Sequence, residues 1–209
     1  MKIVYERENL RNARLQPDFL SFRFLLAILL LPLLLNAQTL PVLKAQVSEP
    51  VIQEFMGGCS MKCAFPWQTF AIVPGKSPQP VYKLDDNDAS TGWIDANISV
   101  GTKLQFQFPK KLPSDFRDTP FYGFDMASGV IKPLTMFKVY ARVKKARLYF
   151  NGKAFADVAF SDSYRWQRVH FDDLMVNQGD TFTFEILEVY PGEKFPNAAI
   201  TEFVLQGAH

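Results

Sequence analysis

From Ser99 to the C-terminus the apolar residues recur with period two, the pattern by which a strand buries one face and wets the other. Leu104, Phe106 and Phe108 alternate with Lys103, Gln105 and Gln107. The run Arg147 to Phe150 enters Asn151-Gly152-Lys153 and leaves through Ala154 to Phe160. Asn-Gly between two such runs favours a tight hairpin turn with positive φ. Trp166 to Phe171 and Thr181 to Val189 are two further strands, separated by the polar turn Asn177-Gln178-Gly179-Asp180, and Ala199 to Leu205 is the last. No stretch after Ala45 carries a long helical period with caps, and no internal repeat is present. The expected fold class is therefore all-β, an antiparallel β-sandwich in one domain from about Val51 onward.

Charge narrows the partners. Of 209 residues, 23 are Lys or Arg and 21 are Asp or Glu. The small excess lies in the first 37 residues, where Lys2, Arg7, Arg11, Arg14 and Arg23 face Glu6, Glu8 and Asp18, so the rest is neutral. Affinity for a phosphate backbone needs many cations that displace counterions, so nucleic acid is excluded as the main partner. Phe24 to Leu35 is an uncharged apolar run behind Arg23, shorter than the about 20 residues that cross a bilayer, with Pro32 inside it. This has the shape of a secretory signal, with cleavage after Ala37 or Ala45, or of an uncleaved anchor, in which case the membrane becomes a partner. The organisation expected is a signal over 1–37, a short linker over 38–53 and a domain over 54–207, in a secreted, periplasmic or cell-surface protein. In such a compartment the two cysteines, Cys59 and Cys63, most simply form a disulfide.

The densest oxygen cluster is Asp85-Asp86-Asn87-Asp88-Ala89-Ser90-Thr91-Gly92-Trp93. Calcium takes about six to eight hard oxygens, which such a loop can supply, although Thr91 and Asn97 stand where an EF-hand needs Gly and Glu. A solvated turn before a strand has the same composition, and the residues alone leave both readings open.

With Ala199-Ile200-Thr201-Glu202-Phe203 near the C-terminus, the spacing Asp86-x-Asp88-x-x-Thr91-x-Trp93 resembles the discoidin-like, or coagulation factor 5/8 type C, modules. Five ordered stretches are similar to one branch of them, the NADase-type glycan-binding domain. They are Gly57-Gly58-Cys59-Ser60-x-x-Cys63, Arg142-Val143-Lys144-Lys145, Leu148-Tyr149-Phe150-Asn151-Gly152-Lys153, Phe184 to Lys194, and Ala199-Ile200-Thr201-Glu202. The resemblance covers roughly Glu54 to Gly207. It implies a jelly-roll β-sandwich that binds sugars through loops at one end, with a structural calcium held by Asp86, Asp88, Thr91 and Glu202. Asn87 replaces the family's usual Gly, and Met126 to Lys132 departs from its Asn-Gly-Tyr-x-Lys pattern, so no sugar contact is carried over there.

A sugar site needs an exposed aromatic face for the C–H side of a pyranose, with polar groups for its hydroxyls. The candidates are Trp67, Tyr164, Trp166, Tyr190 and Arg142, with Phe121, Tyr122 and Phe195 behind them. Arg142, Lys144, Lys145 and Arg147 also fit one wet strand face. No catalytic triad is recognisable around His170, which fits a solvent-facing strand position, and NAD cleavage is not inferred. The function expected is an exported, non-catalytic carbohydrate-binding module. The alternative is a cell-envelope adhesion or scaffold protein with a protein or lipid partner.

Overall fold

The computed structural model describes residues 39–47, 67–86, 88–111 and 119–207. The chain divides between Thr39 and Leu40, and the fold that follows is that of the second unit. Its strands are β1 (Val42–Lys44), β2 (Gln46–Val47), β3 (Gln68–Ile72), β4 (Gln79–Pro80), β5 (Trp93–Ile94) and β6 (Lys103–Gln107), followed by β7 (Thr119–Ser128), β8 (Arg142–Phe150), β9 (Lys153–Ala159), β10 (Gln167–Val176), β11 (Thr181–Tyr190) and β12 (Ala199–Gly207). They make a seven-stranded sheet in the order β1-β9-β8-β11-β6-β3-β4 and a five-stranded sheet in the order β2-β10-β7-β12-β5. Every strand pairing is antiparallel except that of β1 with β9. The all-β sandwich expected from the alternation is what forms, and among the described residues no helix is long and apolar enough to cross a membrane.

The sheets meet through phenylalanine. Phe106 of β6 and Phe184 of β11 lie against Phe203 of β12, with ring centroids 4.9 and 5.2 Å apart. Phe124 of β7 stacks on Phe203 at 4.5 Å, and all four are fully buried. Strand alternation is why they converge, since Lys103, Gln105 and Gln107 turn outward while Leu104 and Phe106 turn in. The Asn-Gly hairpin forms between β8 and β9, with φ of 50° at Asn151 and 77° at Gly152, values that glycine and asparagine adopt at least cost. β10 runs five residues beyond the expected Phe171. A register shift between His170 and Leu174 interrupts the alternation at Asp172-Asp173 and hides the continuation in the sequence.

One expectation is corrected. Residues 42–47 were expected in a linker, yet they build β1 onto β9 of the larger sheet and β2 onto β10 of the smaller. The Asp157 amide donates to the Pro41 carbonyl at 2.9 Å and the Ala45 amide to the Ala159 carbonyl at 3.0 Å, while Leu43 and Ala45 pack against the main core. The segment is a strap that clips both sheets along one edge, which period-two analysis cannot detect in strands of two and three residues. The apolar N-terminal segment, Cys59 and Cys63 with their expected disulfide, and Asn87 lie outside the described residues.

A chain that begins at Gln46 lacks β1, and relative to one that begins at Gln38 it should lose about 2 kcal/mol or more in urea unfolding, from Leu43 burial and the lost strand hydrogen bonds. Coincident unfolding curves would show that the strap carries no stability.

Candidate functional site

Four of the five sugar candidates collect at one end of the sandwich, Arg142 and Trp166 buried and Tyr164 and Tyr190 half-buried. Arg142, at the start of β8, is 5% exposed. Its Nε and Nη2 donate to the Asp162 carboxylate at 2.9 and 2.8 Å, and its Nη1 donates to the carbonyls of Tyr140 (3.0 Å) and Pro191 (2.8 Å). The guanidinium also lies over the Phe137 ring, 5.3 Å from its centroid. These bonds commit the group to the protein itself, and it clamps three loops, 129–141, 160–166 and 191–198. Tyr190 donates its hydroxyl to the Phe160 carbonyl at 2.9 Å. Trp166 is 7% exposed and packs with Ala127, Ile131, Phe137 and Val204 in a second, smaller core, against which Tyr164 rests. Trp67 stands apart just before β3, also 7% exposed and edge-on to Phe108. The expectation of open faces is corrected for Trp67, Trp166 and Arg142, which packing has buried, while Tyr164 and Tyr190 stay half-buried. The neighbouring basic residues are similarly occupied, Lys144 with Glu188 at 2.9 Å, and Lys145 and Arg147 with Asp157 at 3.3 and 2.7 Å.

What the clamp holds up is a different surface. Phe195 is 45% exposed and stacks on Tyr140 with ring centroids 4.9 Å apart and planes 25° from parallel. The two loops are tied by donation from the Glu193 amide to the Lys138 carbonyl (2.8 Å) and from the Lys194 and Phe195 amides to the Val139 carbonyl (3.1 and 3.0 Å). Gly192 permits the approach, since a Cβ there would strike the Phe195 carbonyl oxygen and lie 2.6 Å from the Tyr140 carbonyl carbon. Lys138 and Lys194, two residues and one residue before the rings in sequence, are exposed. The result is an aromatic shelf on two loops that also carry exposed lysines. In the sequence Phe195 is a secondary candidate, and Tyr140 and Lys138 belong to none of the motifs. The available signal was that these residues fall between strands, outside any alternation.

The acidic loop lies along the free edge of β12. The Phe203 amide donates to the Leu84 carbonyl, and Ile94 pairs with Ala199, which draws residues 84–94 alongside the strand. Gly92 allows the contact, as its Cβ would come within 2.9 Å of the Thr201 Cα. The Thr91 hydroxyl donates to Asp86 and the Asp88 amide also reaches Asp86, while the Ser90 amide and hydroxyl donate to Asp88 and hold its carboxyl below the usual range. Glu202 shares a face of β12 with Val204, away from Phe203, and is 1% exposed. Neither of its oxygens meets a hydrogen-bond donor at bonding geometry. Burial pushes its carboxyl up to about 8, helped by the negative charges of Asp86 and Asp85 and opposed by the Asp88 amide. A buried acid with no donor at bonding geometry, close to the Asp86 and Asp85 carboxylates, is a donor set that suits a hard cation. Among the described residues no three His, Cys, Asp or Glu side chains are already gathered as a metal centre.

Two outcomes follow from this geometry. Arg142→Ala leaves Asp162 and two carbonyls unanswered, and it should cost about 2–4 kcal/mol in chemical denaturation; a variant of unchanged stability would remove the clamp. For Glu202 the folded state keeps a proton that the unfolded chain has released between about pH 4.5 and 8, so this group lowers stability progressively as pH rises through that window. In metal-free buffer Glu202→Gln should therefore flatten the fall in melting temperature across it, and parallel curves for the two proteins would contradict this.

Comparison with known proteins agrees with the architecture. Structures of the CBM32-1 and CBM32-2 domains of Clostridium perfringens ZmpB superimpose on 83% of this chain at 11% identity, with a TM-score of 0.50. The same domains in complex with GalNAc give 0.49, also at 11% identity over 83% of this chain. The chain spans less than half of either structure, 43% and 42%, and at this identity the likeness is one of fold. No curated protein matches the sequence. A family model described as the NAD glycohydrolase translocation F5/8 type C domain matches residues 75–206. With a discoidin-like sandwich formed and well over half of its length matched, the chain belongs to the NAD glycohydrolase translocation F5/8 type C domain family.

Proposed function

We propose that this domain is an exported, non-catalytic carbohydrate-binding module that holds glycans on the loop end of its sandwich. The observation that carries the reading is the Tyr140–Phe195 shelf, an exposed ring backed by a second ring, on loops that also carry the exposed Lys138 and Lys194. An aromatic face takes the C–H side of a pyranose, and charged donors beside it take hydroxyls. The CBM32-like fold favours binding over chemistry. His170 is exposed on β10 and stacks on Tyr122 at 6.1 Å. Arg142 belongs to this reading as a positioning residue that fixes both loops of the shelf.

A structural calcium is part of the proposal, with Asp86, Asp88, Thr91 and Glu202 as its ligands. Its support is the pair of buried Glu202 oxygens without donors. Such an ion would supply the positive charge that lets Glu202 ionise inside the fold, and it would pin the acidic loop to β12.

The test is a glycan array probed with the full chain and with Phe195→Ala, which leaves Arg142 and the core untouched. Binding to a defined sugar class should weaken by about threefold to tenfold in the variant, the size of a lost ring contact. An array blank for folded protein would sink the reading and favour a protein partner. Millimolar calcium should raise the melting temperature of metal-free protein by mass action and do so far less in Glu202→Gln; equal responses would remove the ion from the proposal.

A further inference from the structure

We infer that the side of the sandwich carries a second, separate saccharide site, an elongated groove that takes a stretch of neutral glycan chain across Tyr82. Where the seven-stranded and five-stranded sheets approach each other at β4 and β12, residues 81–84 bridge them. The Val81 amide donates to the Thr69 carbonyl of β3 at 2.8 Å, and the Leu84 carbonyl accepts from Phe203 of β12. Both ends of this short bridge are thus fixed to sheet backbone. Lys83 turns it with a φ of 85°, a left-handed conformation that a lysine adopts only when its surroundings hold it there. The outcome is that Tyr82 stands out from the seam, 75% exposed.

A cavity opens on each side of that tyrosine. One, of about 460 Å³, is lined by Trp67, Gln68, Phe70, Lys83 and Asp85 among the described residues. The other, of about 550 Å³, is lined by Lys76, Gln79, Trp93, Asp95 and Asn97. The two share Pro80, Val81, Tyr82 and Lys83, so they are halves of one groove with an aromatic ridge between them. Each is in the range that holds a small organic ligand, roughly 300–1,000 Å³, so together they exceed what one sugar ring fills.

The chemistry of the lining selects the ligand. The open Tyr82 ring stands among amides, carboxylates and ammonium groups, the combination that receives a polyhydroxylated ring with one apolar face. Two lysines face three aspartates, Asp85, Asp86 and Asp95, so the groove has no cationic excess for a phosphate or sulfate chain. A peptide strand is disfavoured too. The sheet edges bordering the groove are β4 and β5, each only two residues long and so a poor template for an added strand, and β4 includes Pro80, which has no amide to offer. The site does not share residues with the Tyr140–Phe195 shelf, so it stands or falls separately from it.

The experiment is amide-resolved NMR titration of the full chain with the monosaccharides and the linear hexasaccharides of β-1,4-glucose, β-1,4-N-acetylglucosamine and N-acetyllactosamine. At least one hexasaccharide should perturb Gln68, Tyr82 and Asn97 together and bind about tenfold more tightly than its monosaccharide, because it reaches both cavities. Tyr82→Ala, at an exposed position, should remove these shifts without changing the melting temperature, and Phe195→Ala should leave them intact. Absence of these shifts with all three hexasaccharides, equal affinity for monosaccharide and hexasaccharide, persistence in Tyr82→Ala, or loss in Phe195→Ala would each overturn the assignment. Shelf binding that survives alongside any of these results would leave the glycan-binding reading itself in place.

Discussion

The stack of Phe124 on Phe203, with Phe106 and Phe184 packed around it, is the contact on which the remaining structure rests. Two sheets stay face to face only if enough apolar surface leaves water between them, and large rings provide more of it per position than aliphatic side chains do. Because the rings come from β6, β7, β11 and β12, they fix the relative placement of both sheets. Everything at the ends and edges of the sandwich is then positioned by how short loops leave this fixed frame.

Arg142 shows how one polar residue extends that order into the loops. A guanidinium that is nearly buried must spend its donors on the protein, and here it spends them on one carboxylate and two carbonyls from three different connections. The shelf of Tyr140 and Phe195 is a by-product of that clamp, since both rings sit on backbone it restrains. A similar logic applies to the seam, where the bridge from Val81 to Leu84 is tied to a strand at either end and presents Tyr82 between them. In both places rigid backbone lifts an aromatic side chain into solvent, which is what a surface that recognises ligand without folding on it requires.

The acidic loop follows a different principle. Its carboxylates Asp86 and Asp88 are exposed and satisfied by the loop itself, while Glu202 is buried and unsatisfied. That asymmetry places the electrostatic tension at a single group. Backbone holds the loop there all the same, through the Phe203–Leu84 hydrogen bond and the pairing of Ile94 with Ala199, so close to β12 that Gly92 must lack a side chain.

The sequence alone determined the class of fold, because period two over β6, β8, β9, β11 and β12 admits a half-buried strand and little else, and Asn151-Gly152 marked its hairpin. It named Arg142, Tyr164, Trp166 and Tyr190 without showing that they collect at one end, and it linked Glu202 to the acidic loop only through the family resemblance. It could not say which aromatic rings face water. Outside regular strands no periodicity fixes a side chain's direction, so burial of Trp67 and Trp166 and exposure of Phe195 and Tyr82 depend on which loop folds over which. The strap of β1 and β2 was hidden for the same reason, being too short to carry a period and held by partners more than a hundred residues away. Local patterning sets the strands, and only the packing of non-local segments against one another decided which residues remain available to a ligand.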